Sequence, residues 1–346
     1  MNFASDNAYG ATPEILSALA AAGAAAASSY GADPFTKELG PRMATLFERE
    51  VTVFPVLTGT AANALALSTL CPPYGAVLCH AAAHIETDEC GAVEFFTHGA
   101  KLVPIAGERG KLMPVAIERA LRRFRKGDVH SVQPSVISLT QATESGTVYT
   151  LTEISEIASL AKAHGLKLHV DGARFANALV HLGASPAEAT WKAGVDVLSF
   201  GATKNGALCA EAVVFFNRND VRDFEYRRKK AGHLVSKMRF ISAQLVSYLE
   251  NDRWLATAAR ANALAKRLAQ GLAAIPGAEL VHPVEANEIF VKLPDAAIAR
   301  LRKGGAKFYE WGQSTNGQTL VRLVTSFATP DVDVERFLDA ARQEPA

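Results

Sequence analysis

An alternation that begins near residue 51 constrains this chain more than any other feature. Short runs rich in β-branched and aliphatic residues recur at Val51–Val56, Ala76–Cys79, Lys101–Ile105, Ser135–Thr140, Lys167–Asp171, Val195–Phe200 and Ala212–Phe216. Longer stretches with helical spacing separate several of them. In Leu151–His164 the apolar positions Ile154, Ile157, Ala158 and Ala161 share one helical face. Strands alternating with amphipathic helices predict a doubly wound, mostly parallel sheet with helices on both sides. The nearly continuous apolar run Val136–Leu139 fits a strand covered on both faces.

The flanks read differently. Thr12-Pro13-Glu14 joins a capping hydroxyl, a first-turn proline and an acid, so it predicts a helix start, with the helix running to about Ala27. A loop over Tyr30–Pro34 and a helix from about Thr36 to Glu50 follow. Beyond Phe216 we expect two long helices, Ala231–Glu250 and Trp254–Ala274. Short strands at Glu288–Leu293 and Leu320–Leu323 and a last helix near Asp333–Ala341 come after them. The expected organisation is a large α/β domain over 12–245 and a small α+β C-terminal domain over 246–346, with an N-terminal arm, 1–11, packed at the active site. A chain of 346 residues is long enough for such a pair.

Composition excludes little. The formal net charge is +1, and the densest cationic run, Arg227-Arg228-Lys229-Lys230, is short and reads as a solvated helix face. Cys71, Cys79, Cys90 and Cys209 form no CxxC pair and lie in no zinc-like His/Cys spacing. They are expected to be buried free thiols of a reducing compartment, with no metal site. The Ala-rich stretch Ala18–Ala27 is too short to span a bilayer, and a cytoplasmic location is the default expectation.

The chemistry sits at strand ends, where open parallel sheets bind ligands. One strand ends in Asp171 and runs into Gly172-Ala173-Arg174; another runs into Gly201-Ala202-Thr203-Lys204-Asn205-Gly206. A third runs into Thr58-Gly59-Thr60-Ala61-Ala62-Asn63, which then turns helical and would offer free amide protons and a positive helix end to a phosphate. Taken singly these are weak signals, since a strand-end Asp can merely cap a helix and a lysine can merely face water. Together, an amine, a carboxylate and a phosphate cradle match the needs of pyridoxal 5′-phosphate (PLP).

The stretches Ser5-Asp6-Asn7, Tyr30-Gly31-Ala32-Asp33, Thr58–Asn63, Ala83-His84-Ile85-Glu86, Asp171–Arg174 and Gly201–Gly206 resemble the low-specificity L-threonine aldolase family, most closely its bacterial branch that includes phenylserine aldolases. The resemblance implies a fold type I, PLP-transferase-like enzyme with a mostly parallel seven-stranded sheet. It implies that Lys204 bonds the cofactor aldehyde and Asp171 pairs with the ring nitrogen. Gly59 and Thr60 would hold the phosphate, supported by Asn63, with Arg239 as a further phosphate-region candidate. His84 would stack on the ring and serve as the base. Ser5, Arg174 and Arg322 would hold the substrate carboxylate, with Arg174 also beside the cofactor; Tyr30, near the subunit boundary with Asp33, would join the substrate site of a homotetramer whose active sites sit at the dimer interface. The implied reaction is retro-aldol cleavage of L-threonine, L-allo-threonine and related β-hydroxy-α-amino acids to glycine and an aldehyde.

One departure bears on mechanism. A better-known branch carries a histidine after Asn-Thr in the loop that follows the central strand. Here the loop reads Gln141-Ala142-Thr143-Glu144-Ser145-Gly146, with Glu144 in the histidine's place. Glu144 either shares the proton work or orients water and His84. Rival readings are a phenylserine-preferring aldolase, a β-eliminating lyase, an aminotransferase and a non-catalytic phosphate binder. The last is weakened by the absence of GxGxxG or GxxxxGK[ST].

Overall fold

The computed structural model describes residues 1–221 and 223–342. Seven strands form the large sheet: β1 (Thr52–Val56), β2 (Gly75–His80), β3 (Lys101–Ile105), β4 (Gln133–Thr140), β5 (Lys167–Gly172), β6 (Val197–Gly201) and β7 (Glu211–Phe215). Their spatial order is β1-β7-β6-β5-β4-β2-β3. Pairs among β2 to β6 are parallel, whereas β7 runs antiparallel to both β6 and β1. Pro55 and Pro104 fall in β1 and β3, the two edges, where a missing amide proton breaks no ladder on the open side. Apolar clusters pack on both faces of the sheet, one around Leu78, Ile137, Leu168 and Phe200 and the other around Val77, Val136, Val197 and Phe215.

The small sheet contains β8 (Glu279–Leu280), β9 (Glu288–Pro294), β10 (Tyr309–Glu310) and β11 (Gln318–Val324) in the antiparallel order β10-β11-β9-β8. Its core, with Ile289, Val291, Leu323 and Phe337, is separate. The helix Arg253–Ala273 serves both cores: Trp254 and Ala258 join the large one, and Leu264, Leu268 and Leu272 the small one. The change of core therefore comes one helix after residue 246, which lies inside the helix Arg239–Leu249. The N-terminal arm is laced into the small domain. The Phe3 amide donates to Lys307 O, the Val324 amide donates to Phe3 O, and the Phe3 ring is fully buried. That burial stabilises the arm by about 1.5–3 kcal/mol.

Local differences from the expected elements have physical reasons. The first helix, Pro13–Gly23, starts at the Thr12 cap as expected but ends four residues early, because residues 23–30 are exposed and find no core. The second spans Pro34–Leu46, with Asp33 as its cap. The helix expected over Ala231–Glu250 forms only as Arg239–Leu249; a separate short helix, Phe224–Lys230, ends just before its expected start. Gly232 there has φ of +79°, a left-handed conformation that ends a helix. Arg228 is buried rather than solvated, with its guanidinium over the Phe54 ring at 5.1 Å. Of the four thiols only Cys71 and Cys79 are buried, and burial pushes them up to about 11 and about 12; Cys90 is exposed and Cys209 half-buried. Among the described residues, no helix is long and apolar enough to cross a membrane.

Candidate active site

The strand directions gather the polar strand-end residues at one edge of the large sheet. Five parallel strands and β1 end there. Thr58 follows β1, His84 follows β2, Glu144 follows β4, Asp171 lies near the end of β5, and Lys204 follows β6. Because β7 runs the other way, its first residue, Glu211, sits at the same edge, opposite Val56 and Gly201. At Gly201 an added Cβ would lie 2.7 Å from Ala173 Cα and O, so only glycine allows the close approach of the turns that carry Asp171 and Lys204.

These residues line a cavity of about 350 Å³: Thr58, Gly59, Thr60, Asn63, His84, Glu89, Glu144, Asp171, Lys204 and Glu211 are in its wall. The volume lies in the usual range of small-molecule sites, about 300–1,000 Å³. Thr58 Oγ1 accepts from the Ala61 amide at 3.1 Å and caps the helix Gly59–Leu70. Helix geometry leaves the Gly59 and Thr60 amide protons without intrahelical acceptors, and both lie at the cavity wall. Asn63 Nδ2 donates to Asp171 Oδ2 at 2.7 Å and to Glu89 Oε1 at 2.9 Å. The Ala173 amide donates to Asp171 Oδ1 at 3.0 Å, so the carboxylate is fixed from both sides.

His84 Nδ1 lies 2.9 Å from Glu89 Oε1. The pair directs the ring's proton to Nδ1 and leaves Nε2 as the accepting nitrogen. The hydrogen bond to Glu89 raises the His84 pKa above its ordinary value against the opposing effect of burial, and the charges of Asp171, Glu144 and Glu89 add to it. Burial pushes the Glu89 carboxyl up as well, against the hydrogen bonds from His84 and Asn63. Glu211 accepts from the Ala202 amide at 3.0 Å, and burial pushes it up to about 7.

A second cavity of about 620 Å³ meets the first at Asn7, His84, Glu144 and Lys204. Ser5, Arg174 and Arg322 line it, together with Phe290, Tyr309 and Trp311. Arg174 is buried and forked onto Asp6, with Nε to Oδ2 at 2.8 Å and Nη2 to Oδ1 at 3.1 Å. Arg322 reaches across from β11, over Trp311 at 4.8 Å and Tyr309 at 5.4 Å, and its Nε is buried without a hydrogen-bond partner. The Ser5 hydroxyl accepts from the Asn7 amide at 3.1 Å.

Of the residues singled out from sequence, Lys204, Asp171, Gly59, Thr60, Asn63, His84, Glu144, Arg174, Ser5 and Arg322 therefore line two joined cavities. Two do not line these cavities in the same chain. Arg239 donates from Nε to Ala22 O at 2.9 Å and stacks over Phe240. Tyr30 is exposed and covered by the Lys229 ammonium at 4.6 Å. Sequence reasoning missed Glu89, Glu211, Asp6 and Glu288. Asp6 lay within a quoted motif without a role, and Glu211 could be found only by recognising that β7 reverses direction.

A family profile described as beta-eliminating lyase matches residues 2–296. The chain belongs to that family and is a lyase. Its relatives place it further. It is 48 % identical over 341 residues to a low specificity L-threonine aldolase of Pseudomonas aeruginosa, covering 98 % of this chain and 96 % of the relative. It is 50 % identical over 308 residues to another from a Pseudomonas species, covering 89 % and 88 %. A solved threonine aldolase of Leishmania major superposes with a TM-score of 0.93 at 30 % identity, covering 98 % of both chains. Within the family, the chain is thus a member of the low-specificity L-threonine aldolases, and its architecture is that of the fold type I PLP enzymes.

The family implies PLP, and the cavity residues fit it. Asp171 offers a fixed carboxylate, Lys204 an amine, and the first turn of the 59–70 helix free amide protons. The buried Asn63 Oδ1 and Glu89 Oε2 at the same wall have no protein partner.

Proposed function

We propose that the protein is a PLP-dependent aldehyde lyase that cleaves L-threonine, L-allo-threonine and related L-β-hydroxy-α-amino acids to glycine and an aldehyde. The observation that carries this reading is the junction of the two cavities at Lys204, His84 and Glu144: one holds an amine, a fixed carboxylate and a helix N-terminus that would suit the cofactor, the other two arginines suited to a carboxylate. Lys204 would bond the cofactor aldehyde, Asp171 would face the ring nitrogen, and Gly59 and Thr60 would serve the phosphate end; Asn63, expected there from sequence, instead bonds Asp171 and would hold that carboxylate in place. Bound there, PLP supplies an electron sink for the pair released when the Cα–Cβ bond breaks.

The chain's own residues do the rest. Arg174 and Arg322, with Ser5, fix the substrate carboxylate, because a forked guanidinium holds a carboxylate in one plane. His84 lines the same cavity as both arginines, so a carboxylate held there would leave the β-hydroxyl within its reach. Nε2 of His84, with Nδ1 tied to Glu89, takes the hydroxyl proton directly or through one water, and Glu144 holds that water or the imidazole in line.

The reading carries a cytoplasmic homotetramer with active sites at the dimer interface, and a division of the chain at about residue 246, one helix before the change of core within Arg253–Ala273. Purified holoenzyme incubated with L-threonine should yield glycine and acetaldehyde in equal amounts. Pyruvate with ammonia would mean β-elimination instead, and a keto acid would mean transamination.

A further inference from the structure

Glu288 is the first residue of β9, and its side chain is fully buried at the seam between the small sheet and the large domain. Oε2 lies 3.1 Å from Arg174 Nη1, and Oε1 lies 3.8 Å from Arg322 Nη1. Neither oxygen has a hydrogen-bond partner, and the Arg322 Nε beside it is also unpartnered. Both arginines line the outer cavity. The charged groups that face Glu288 come from four elements: Asp6 on the arm, Glu144 on the loop after β4, Arg174 on the turn after β5, and Arg322 on β11. Burial raises its carboxyl above the ordinary value; Arg174 and Arg322 oppose this, and Glu144 and Asp6 add to it.

We propose that Glu288 is the resident anion of the substrate-carboxylate clamp, balancing Arg174 and Arg322 while the clamp is empty and taking up a proton when the substrate's carboxylate enters. The inference rests on the reading that these two arginines hold that carboxylate. A second anion brought to the same guanidiniums repels the first, and a like charge at contact range favours the neutral form of a buried acid. The step balances. The substrate arrives as a carboxylate, one proton passes from solvent to a Glu288 oxygen, both arginines stay charged, and the net charge of the clamp is unchanged. Glu288 is thus a positioning residue that couples carboxylate affinity to pH. Above its free-enzyme pKa, binding needs a proton from solution, so affinity falls about ten-fold per pH unit.

The test uses holoenzyme and 3-hydroxybutyrate, which is threonine without its amine and forms no bond to Lys204. Calorimetric titration in two buffers of different ionisation enthalpy reads the protons taken up on binding. Wild type should take up close to one proton above the Glu288 midpoint, and Glu288→Gln none. One pH unit above that midpoint Glu288→Gln should bind about ten-fold more tightly than wild type. Equal proton uptake by both proteins overturns the proposal. Glycine is a second probe, since its amine chemistry is common to both proteins and cancels in the comparison. If Glu288→Gln does not accumulate, the wild-type dissociation constant decides alone, and a profile flat from acid to alkaline pH overturns the proposal. Arg322→Ala separates the two levels of the account. If it binds the acid as wild type does, the clamp itself is wrong; if it loses affinity while Glu288→Gln keeps the proton uptake, only the role of Glu288 is wrong.

Discussion

Asn63 and Asp171 share a hydrogen bond of 2.7 Å that ties the helix after β1 to the end of β5. The same Nδ2 donates to Glu89, which in turn meets His84. One amide group therefore joins the carboxylate proposed for the cofactor ring to the partner of the proposed base. Asn63→Ala leaves two buried carboxylates short of a donor and should cost about 1–3 kcal/mol of stability. Urea unfolding of wild type and variant side by side checks it, and coincident midpoints would show that the bond contributes nothing.

The His84–Glu89 pair sets a pH dependence. His84 must be neutral at Nε2 to accept a proton, and its pKa is raised above the ordinary histidine value, so activity rises as pH climbs through that raised value. Glu89→Gln removes the first cause of the shift. The acid limb of the kcat/KM profile should then move to lower pH, while the maximum falls because the ring is less firmly oriented. An unmoved limb would assign it to another group.

Asp6 anchors the arm on Arg174. Burial pushes its carboxyl up, but Arg174 and Lys204, with the hydrogen bonds from Arg174 and Asn287, prevail and hold it below the ordinary aspartate value. A depressed carboxyl stabilises the fold above its unfolded pKa of about 3.9, and that contribution is lost as pH falls through the lower folded value. Asp6→Ala should cost about 3–5 kcal/mol at neutral pH, since it strips a buried partner from Arg174. The difference from wild type should shrink below about pH 4. Denaturant unfolding at pH 7 and pH 3 reads both.

Arg322 holds its place by stacking on Trp311 and Tyr309. A lysine keeps the charge but loses the planar fork. Arg322→Lys should raise KM for threonine roughly 10–100-fold, the equivalent of about 1.5–3 kcal/mol for a charge-assisted hydrogen bond, with kcat changed much less. A loss confined to kcat would place Arg322 in the chemical step rather than in binding.

Much of this was legible in the sequence because the strands carry their own signal. All seven β-rich runs became strands of one sheet, with ends shifted by a residue or two, and Thr58–Asn63, Asp171 and Lys204 follow from that register. What the sequence hid depends on the third dimension. Glu89 lies five residues beyond His84 and gains its place because His84 and, from the helix after β1, Asn63 both turn to it. Glu288 and Asp6 are far apart along the chain and meet on Arg174 only when the small sheet and the arm close over the large one. The break at Gly232 was missed because helix-forming residues surround it.

The central claim is that Lys204 bonds the aldehyde of PLP in this cleft, and borohydride tests it most directly. Reduction of the holoenzyme, followed by digestion and mass spectrometry, should place the reduced pyridoxyl adduct on the peptide containing Lys204, and Lys204→Ala should show neither adduct nor visible absorbance band. An adduct on a different lysine, or a variant that keeps the band and full turnover, would contradict the account.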